Sequence, residues 1–230
     1  MTTALQKKRE RFFVEQAIRS LKAGWTILAE RDPPDFIIED HGQQFGLEVI
    51  DVFAGPQGSA GSNMKKAESR MQRVLEGLRA EYEQFDATPL TAKFVGRIDA
   101  ETLAPVVQSL RDLDLAAKPL AFQTVVDTQH GLRVHVTKSL RPDWYSVMDR
   151  AGWVEQNPRQ ILADAIEAKS VKLAQYQAVA GPDIRLLLVA NAIQNSGKMR
   201  LTEEAGFDLR GFTAVYLFPY PEDVIPLRSV

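Results

Sequence analysis

Apolar positions at Val14, Ala17, Ile18 and Leu21 repeat at i, i+3, i+4, i+7. That spacing gives one helix face and predicts a helix over 6–23, with Gly24 as its C-terminal cap. Short β-rich runs follow at 25–29, 35–39 and 44–53, and the Arg31-Asp-Pro-Pro34 stretch interrupts them because proline cannot donate to a ladder. His41-Gly42 between the last two runs predicts a hairpin. The Gly-rich segment 54–62 reads as a flexible loop. Met64, Ala67, Met71, Val74, Leu75 and Leu78 then mark one face of a helix over 63–85. Beyond it the pattern predicts a strand over 90–98, a helix over 100–113, and a hairpin from 120–127 and 132–138 turning at Gln129-His130-Gly131.

Asn157 with Pro158 behind it reads as an N-cap and first helical residue, opening a helix that runs to about 178. The nearly all-apolar Ile184–Ala190 predicts a strand covered on both faces, and 212–218 predicts a last strand. The whole reads as a single α/β domain over 1–230, a mixed central sheet flanked by helices.

At 230 residues, with 45% hydrophobic and 25% charged residues, the chain has the composition of a globular protein rather than a disordered or fibrous one. The net charge of −2 argues against a globally basic nucleic-acid coat, and the lack of cysteine removes disulfides, thiolate zinc sites and a cysteine nucleophile. The charged start argues against a signal peptide, and no run approaches the roughly 20 apolar residues of a membrane span. A cytoplasmic protein without a membrane partner is the simplest expectation.

Two residues break the apolar pattern. Glu48 lies mid-run in Phe45-Gly-Leu-Glu-Val-Ile-Asp-Val-Phe53, where a carboxylate must be paired, protonated or metal-bound. Asp35 begins the neighbouring strand, so the hairpin can bring both acids to one end of a sheet, a set suited to Mg²⁺. The alternative is a turn-capping Asp35 and an ordinary ion pair for Glu48. Lys169 falls inside the stripe Leu162, Ile166, Leu173, Tyr176, with Lys172 on its flank. It either snorkels past the core edge or reaches a carboxylate.

Pro34-Asp35, with Glu48 thirteen positions after Asp35 in an apolar strand, resembles the PD-(D/E)xK nuclease superfamily. Residues 165–176 followed by Ile184–Ala190 look like that family's helix and last core strand. The resemblance implies a restriction-endonuclease-like core over 10–53 and 158–220, with 54–157 as a long insertion. It further implies a nuclease that uses Mg²⁺, or Mn²⁺ in its place, to hydrolyse phosphodiester bonds in nucleic acid, DNA ahead of RNA. Asp35, Glu48 and the Val49 carbonyl would be the metal ligands. The family's lysine two residues after the second acid is Ile50 here, so Lys169, with Lys172 second, would take that role from the helix. Glu15 would hold a metal-bound water or a second ion. A relative without catalysis, binding nucleic acid or a protein partner in the same groove, is the alternative, and a homodimer is an open assembly state.

Lys65, Lys66, Arg70 and Arg73 follow the Gly-rich loop and would contact phosphates, though an ordinary solvated helix face reads the same way. Neither GxxxxGK[ST] nor GxGxxG occurs, and His41, His130 and His135 have no metal-type spacing. Trp25, Trp144 and Trp153 read as core or interface residues.

Overall fold

The computed structural model describes residues 4–55, 57–58, 61–86, 88–128, 131–147, 154–201 and 206–230. His130 and Trp153, singled out above, lie outside them. The chain divides into two compact units, Met1–Met64 with Trp153–Val230 and the continuous stretch Lys65–Gly152. Each has its own sheet and its own core, and the architecture is mixed α/β.

In chain order the elements begin with α1 (Ala4–Leu21), β1 (Thr26–Glu30), β2 (Phe36–Asp40), β3 (Gln43–Asp51), β4 (Gln57–Gly58) and β5 (Gly61–Ser62). Next come α2 (Asn63–Glu83), β6 (Leu90–Gly96), α3 (Ala100–Leu103), α4 (Val106–Arg111), β7 (Gln123–Asp127), β8 (Leu132–Lys138) and β9 (Trp144–Val147). The chain closes with α5 (Arg159–Ser170), α6 (Leu173–Ala180), β10 (Ile184–Val189), β11 (Ala214–Phe218) and β12 (Ile225–Pro226).

The first unit is built on a six-stranded mixed sheet, β1-β2-β3-β10-β11-β12. The outer pairs are antiparallel, and β10 runs parallel to both β3 and β11. Strand alternation sends Phe45, Leu47, Val49, Leu187 and Val189 to one face, under Phe13, Val14 and Ala17 of α1. Ile184, Leu186 and Leu188 go to the other face, under Leu162, Ile166 and Tyr176 of α5 and α6. With both faces covered, β10 reads as continuously apolar, as its sequence predicts. Gly46 permits the close approach of α6: a Cβ there would stand 2.8 Å from Ala180 Cβ and from Ile184 Cδ1.

Where one helix is predicted over 157–178, the structure has two, parted at Val171 and Lys172. The Lys172 N–H bonds back to the Lys169 carbonyl, three residues earlier, which tightens the last turn and ends α5. Asn157 is not the side-chain cap: its own N–H donates to Glu155 Oε1, and Pro158 precedes the first helical residue. The predicted 100–113 helix likewise splits at Pro105, which lacks the N–H that would continue α3.

The second unit carries a four-stranded mixed sheet, β7-β8-β6-β9. Leu90, Ala92, Phe94, Leu132, Val134, Val136 and Trp144 pack on one face with Leu75 and Tyr82 of α2 and Val106, Val107 and Leu110 of α4. Among the described residues no helix is long and apolar enough to cross a membrane.

Candidate active site

The β2–β3 ladder pairs Phe36 with Leu47 and Ile37 with Gly46, so one step outward Asp35 stands opposite Glu48. Directly opposed residues share a sheet face. Asp35 stays at the strand end because its Oδ2 accepts the Val49 N–H at 3.0 Å, taking the ladder position that β2 no longer fills. An extended residue's N–H and C=O point to the same edge, so the Val49 carbonyl is also aimed at the Asp35 side of β3. Both acids are buried, each 6% exposed.

Each carboxylate has an ammonium partner. Lys169, delivered by the last turn of α5, donates to Glu48 Oε1 at 2.6 Å. Lys7, on α1, donates to Asp35 Oδ1 at 2.7 Å and to the Arg31 carbonyl at 2.9 Å. Burial and the nearby Asp35 charge push the Glu48 carboxyl above its ordinary range, with Lys169 pulling the other way. Burial alone would lower the Lys7 amine, but the hydrogen bond and charge of Asp35, with Glu10 behind them, outweigh it and hold the amine above its usual value. Tyr176 is fully buried, with its hydroxyl facing the Glu48 carboxylate. Burial and the Glu48 charge hold that hydroxyl far above the usual tyrosine value.

Asp35, Glu48 and Lys169 line a cavity of about 590 Å³ in the first unit. Its walls carry five carboxylates (Glu10, Asp32, Asp35, Glu48, Asp51) against three cations (Arg9, Lys169, Lys172), and Lys7, bonded to Asp35 from behind the lining, brings the balance close to even. Lys172 lies on the exposed rim.

The sequence brings Asp35, Glu48, Val49, Lys169 and Lys172 to this cavity, but not Glu15. Glu15 bonds to Arg11 at 2.9 Å, and Arg11 in turn reaches Glu30 at 2.6 Å, a surface network apart from the lining. Glu10 is the acid that α1 contributes instead. Its Oε2 is buried and ion-paired with Lys7 Nζ at 3.3 Å. From sequence, Lys7 and Arg9 read with Lys8 and Arg11 as a small basic cluster, useful for phosphate but common on surfaces, and Glu10 sits unremarked in the same charge run. Their one advance signal is position: Gln6, Glu10 and Phe13 fall at i, i+4, i+7. Lys65, Lys66, Arg70 and Arg73 lie on α2; Lys66, Arg70 and Arg73 are exposed and Lys65 is half-buried.

The donor set fits a hard divalent ion in part. Two carboxylates and an in-plane carbonyl are oxygen ligands of the type Mg²⁺ takes, with waters completing the shell. Among the described residues no group of three or more acids or histidines converges into a metal cage. Glu10 adds a further carboxylate on the α1 side, where its Oε2 is paired with Lys7 at 3.3 Å. Compared with protein-family models, curated proteins and solved structures, the chain finds no match.

Proposed function

We propose that the first unit is a restriction-endonuclease-like nuclease that hydrolyses phosphodiester bonds in nucleic acid, DNA ahead of RNA, with Mg²⁺ or Mn²⁺. The observation that supports this reading is the juxtaposition of buried Asp35 and Glu48 in one cavity, with the Lys169 ammonium 2.6 Å from Glu48. Asp35, Glu48 and the Val49 carbonyl would hold the ion. When bound, it polarises a phosphodiester oxygen and lowers the pKa of its water. Lys169 orients Glu48 and offers an N–H to charge developing on the phosphate, where a donor in a water-poor cavity counts most. Lys172, on the exposed rim, draws the phosphate backbone toward the cavity. Glu10 accepts a proton or a hydrogen bond from water at the α1 wall.

A second reading has its own observation. Each acid is already neutralised by a lysine, so the charges are met without an ion, and the cavity can serve as a binding site that does no chemistry. The test is incubation of the purified chain with single- and double-stranded DNA and RNA in Mg²⁺, Mn²⁺ or EDTA. Cleavage that needs the ion and is lost in EDTA supports the nuclease. Binding without cleavage under every condition leaves the second reading.

A further inference from the structure

Among the described residues, one face of the second unit's four-stranded sheet is buried and the other is exposed or half-buried. Cross-strand register fixes the composition of the other. Val125 pairs with His135, His135 with Lys93 and Lys93 with Tyr145, so these four side chains form one row across β7, β8, β6 and β9. The next row is Asp127, Arg133, Val95 and Val147. Neighbouring strands lie about 4.8 Å apart, so a row crosses the sheet in roughly 15 Å. Val125 is 49% and Tyr145 38% exposed, and the His135 and Arg133 side chains are exposed too.

We propose that this face is a binding platform for single-stranded nucleic acid. The argument is its chemistry. Within these two rows Lys93 and Arg133 put two positive charges against one acid, Asp127, in a chain whose net charge is −2. Asp127 pairs with Arg133 at 3.4 Å, but both groups are more than half exposed, so the pair is weak and a phosphate can replace the carboxylate. Tyr145 and His135 flank Lys93 in the same row and present ring surfaces on which unpaired bases stack. A protein partner would favour a more apolar, less charged centre than Lys93 gives. The platform rests on the proposed function only for the class of its ligand, and it uses none of the cavity residues.

The test is fluorescence anisotropy of the full chain with labelled 20-nucleotide oligothymidine and oligouridine, in EDTA so that nothing is cut. Tyr145→Ala and Lys93→Gln are each expected to weaken binding by about fivefold to tenfold, within the range for a lost base stack or phosphate contact. Lys93→Gln should also flatten the dependence of log affinity on log salt by about one unit, and Tyr145→Ala should leave that slope unchanged. Glu15→Gln, in the exposed α1 network outside the cavity, should bind like the parent, which ties the losses to the sheet face. Wild-type binding too weak to measure, or face variants that bind like the parent, would overturn the platform while leaving cleavage at the cavity untouched. Absence of cleavage alongside weakened face variants would instead sink the nuclease and keep the platform.

Discussion

Replacing Lys169 by Met removes the ammonium 2.6 Å from Glu48 while keeping a side chain of similar length on the α5 stripe. At that distance the gross attraction is about 6 kcal/mol for an effective dielectric near 20. The net loss is smaller, for two reasons. Burial and Asp35 already hold the Glu48 carboxyl above its ordinary range with Lys169 in place, so the pair starts without a surplus. An abandoned carboxylate can also take up a proton. For a glutamate of ordinary pKa near 4.3 that costs about 3.7 kcal/mol at pH 7 and about 1 kcal/mol at pH 5. These are ceilings, and water entering beside the quarter-exposed lysine position lowers them. The expected destabilisation is therefore about 2–3 kcal/mol at pH 7 and under about 1 kcal/mol at pH 5. The sign follows from linkage: a carboxyl raised in the folded state contributes fully below its unfolded pKa and loses that contribution as pH rises through the folded one. Urea unfolding at the two pH values measures both losses. Equal losses at pH 5 and pH 7, or a loss below about 0.5 kcal/mol at pH 7, would refute a buried Glu48 that depends on Lys169. Adding Glu48→Gln to Lys169→Met should restore most of the stability.

Gly46→Ala should cost about 1–3 kcal/mol in thermal unfolding, because its Cβ would press on Ala180 and Ile184 from 2.8 Å. A neutral result would mean that α6 yields without cost. Lys7→Met should tighten Mn²⁺ binding, followed by electron paramagnetic resonance, by about tenfold, since Asp35 would no longer be shared with an ammonium; weaker binding would speak against Asp35 as a ligand. Glu10→Gln should slow cleavage, while Glu15→Gln leaves both rate and stability within about 0.5 kcal/mol of the parent, because Glu15 belongs to an exposed network. The reverse ranking would return the α1 role to Glu15.

The parts of the site that were legible in the sequence were violations of a pattern. Glu48 interrupts an apolar strand and Lys169 interrupts an apolar helix stripe, and the structure resolves both violations by joining them. Lys7 and Glu10 violate nothing: a charged helix face looks the same whether it meets water or a cavity, and only the docking of α1 over the sheet separates the two. The break between α5 and α6 was equally silent, since Ser170-Val171-Lys172 contains neither proline nor glycine. β9 went unread because a four-residue strand gains its identity from pairing with β6, and periodicity is weak over so short a span.

The most direct measurement of the central claim is the rate at which Asp35→Asn and Glu48→Gln cleave the best substrate in Mg²⁺, compared with the parent at equal folded concentration. Loss of a charged ligand from a two-carboxylate site predicts a fall of at least about a hundredfold for each variant, about 2.7 kcal/mol of transition-state stabilisation. Cleavage at the parental rate by either folded variant would contradict the assignment of Asp35 and Glu48 as the metal-holding pair.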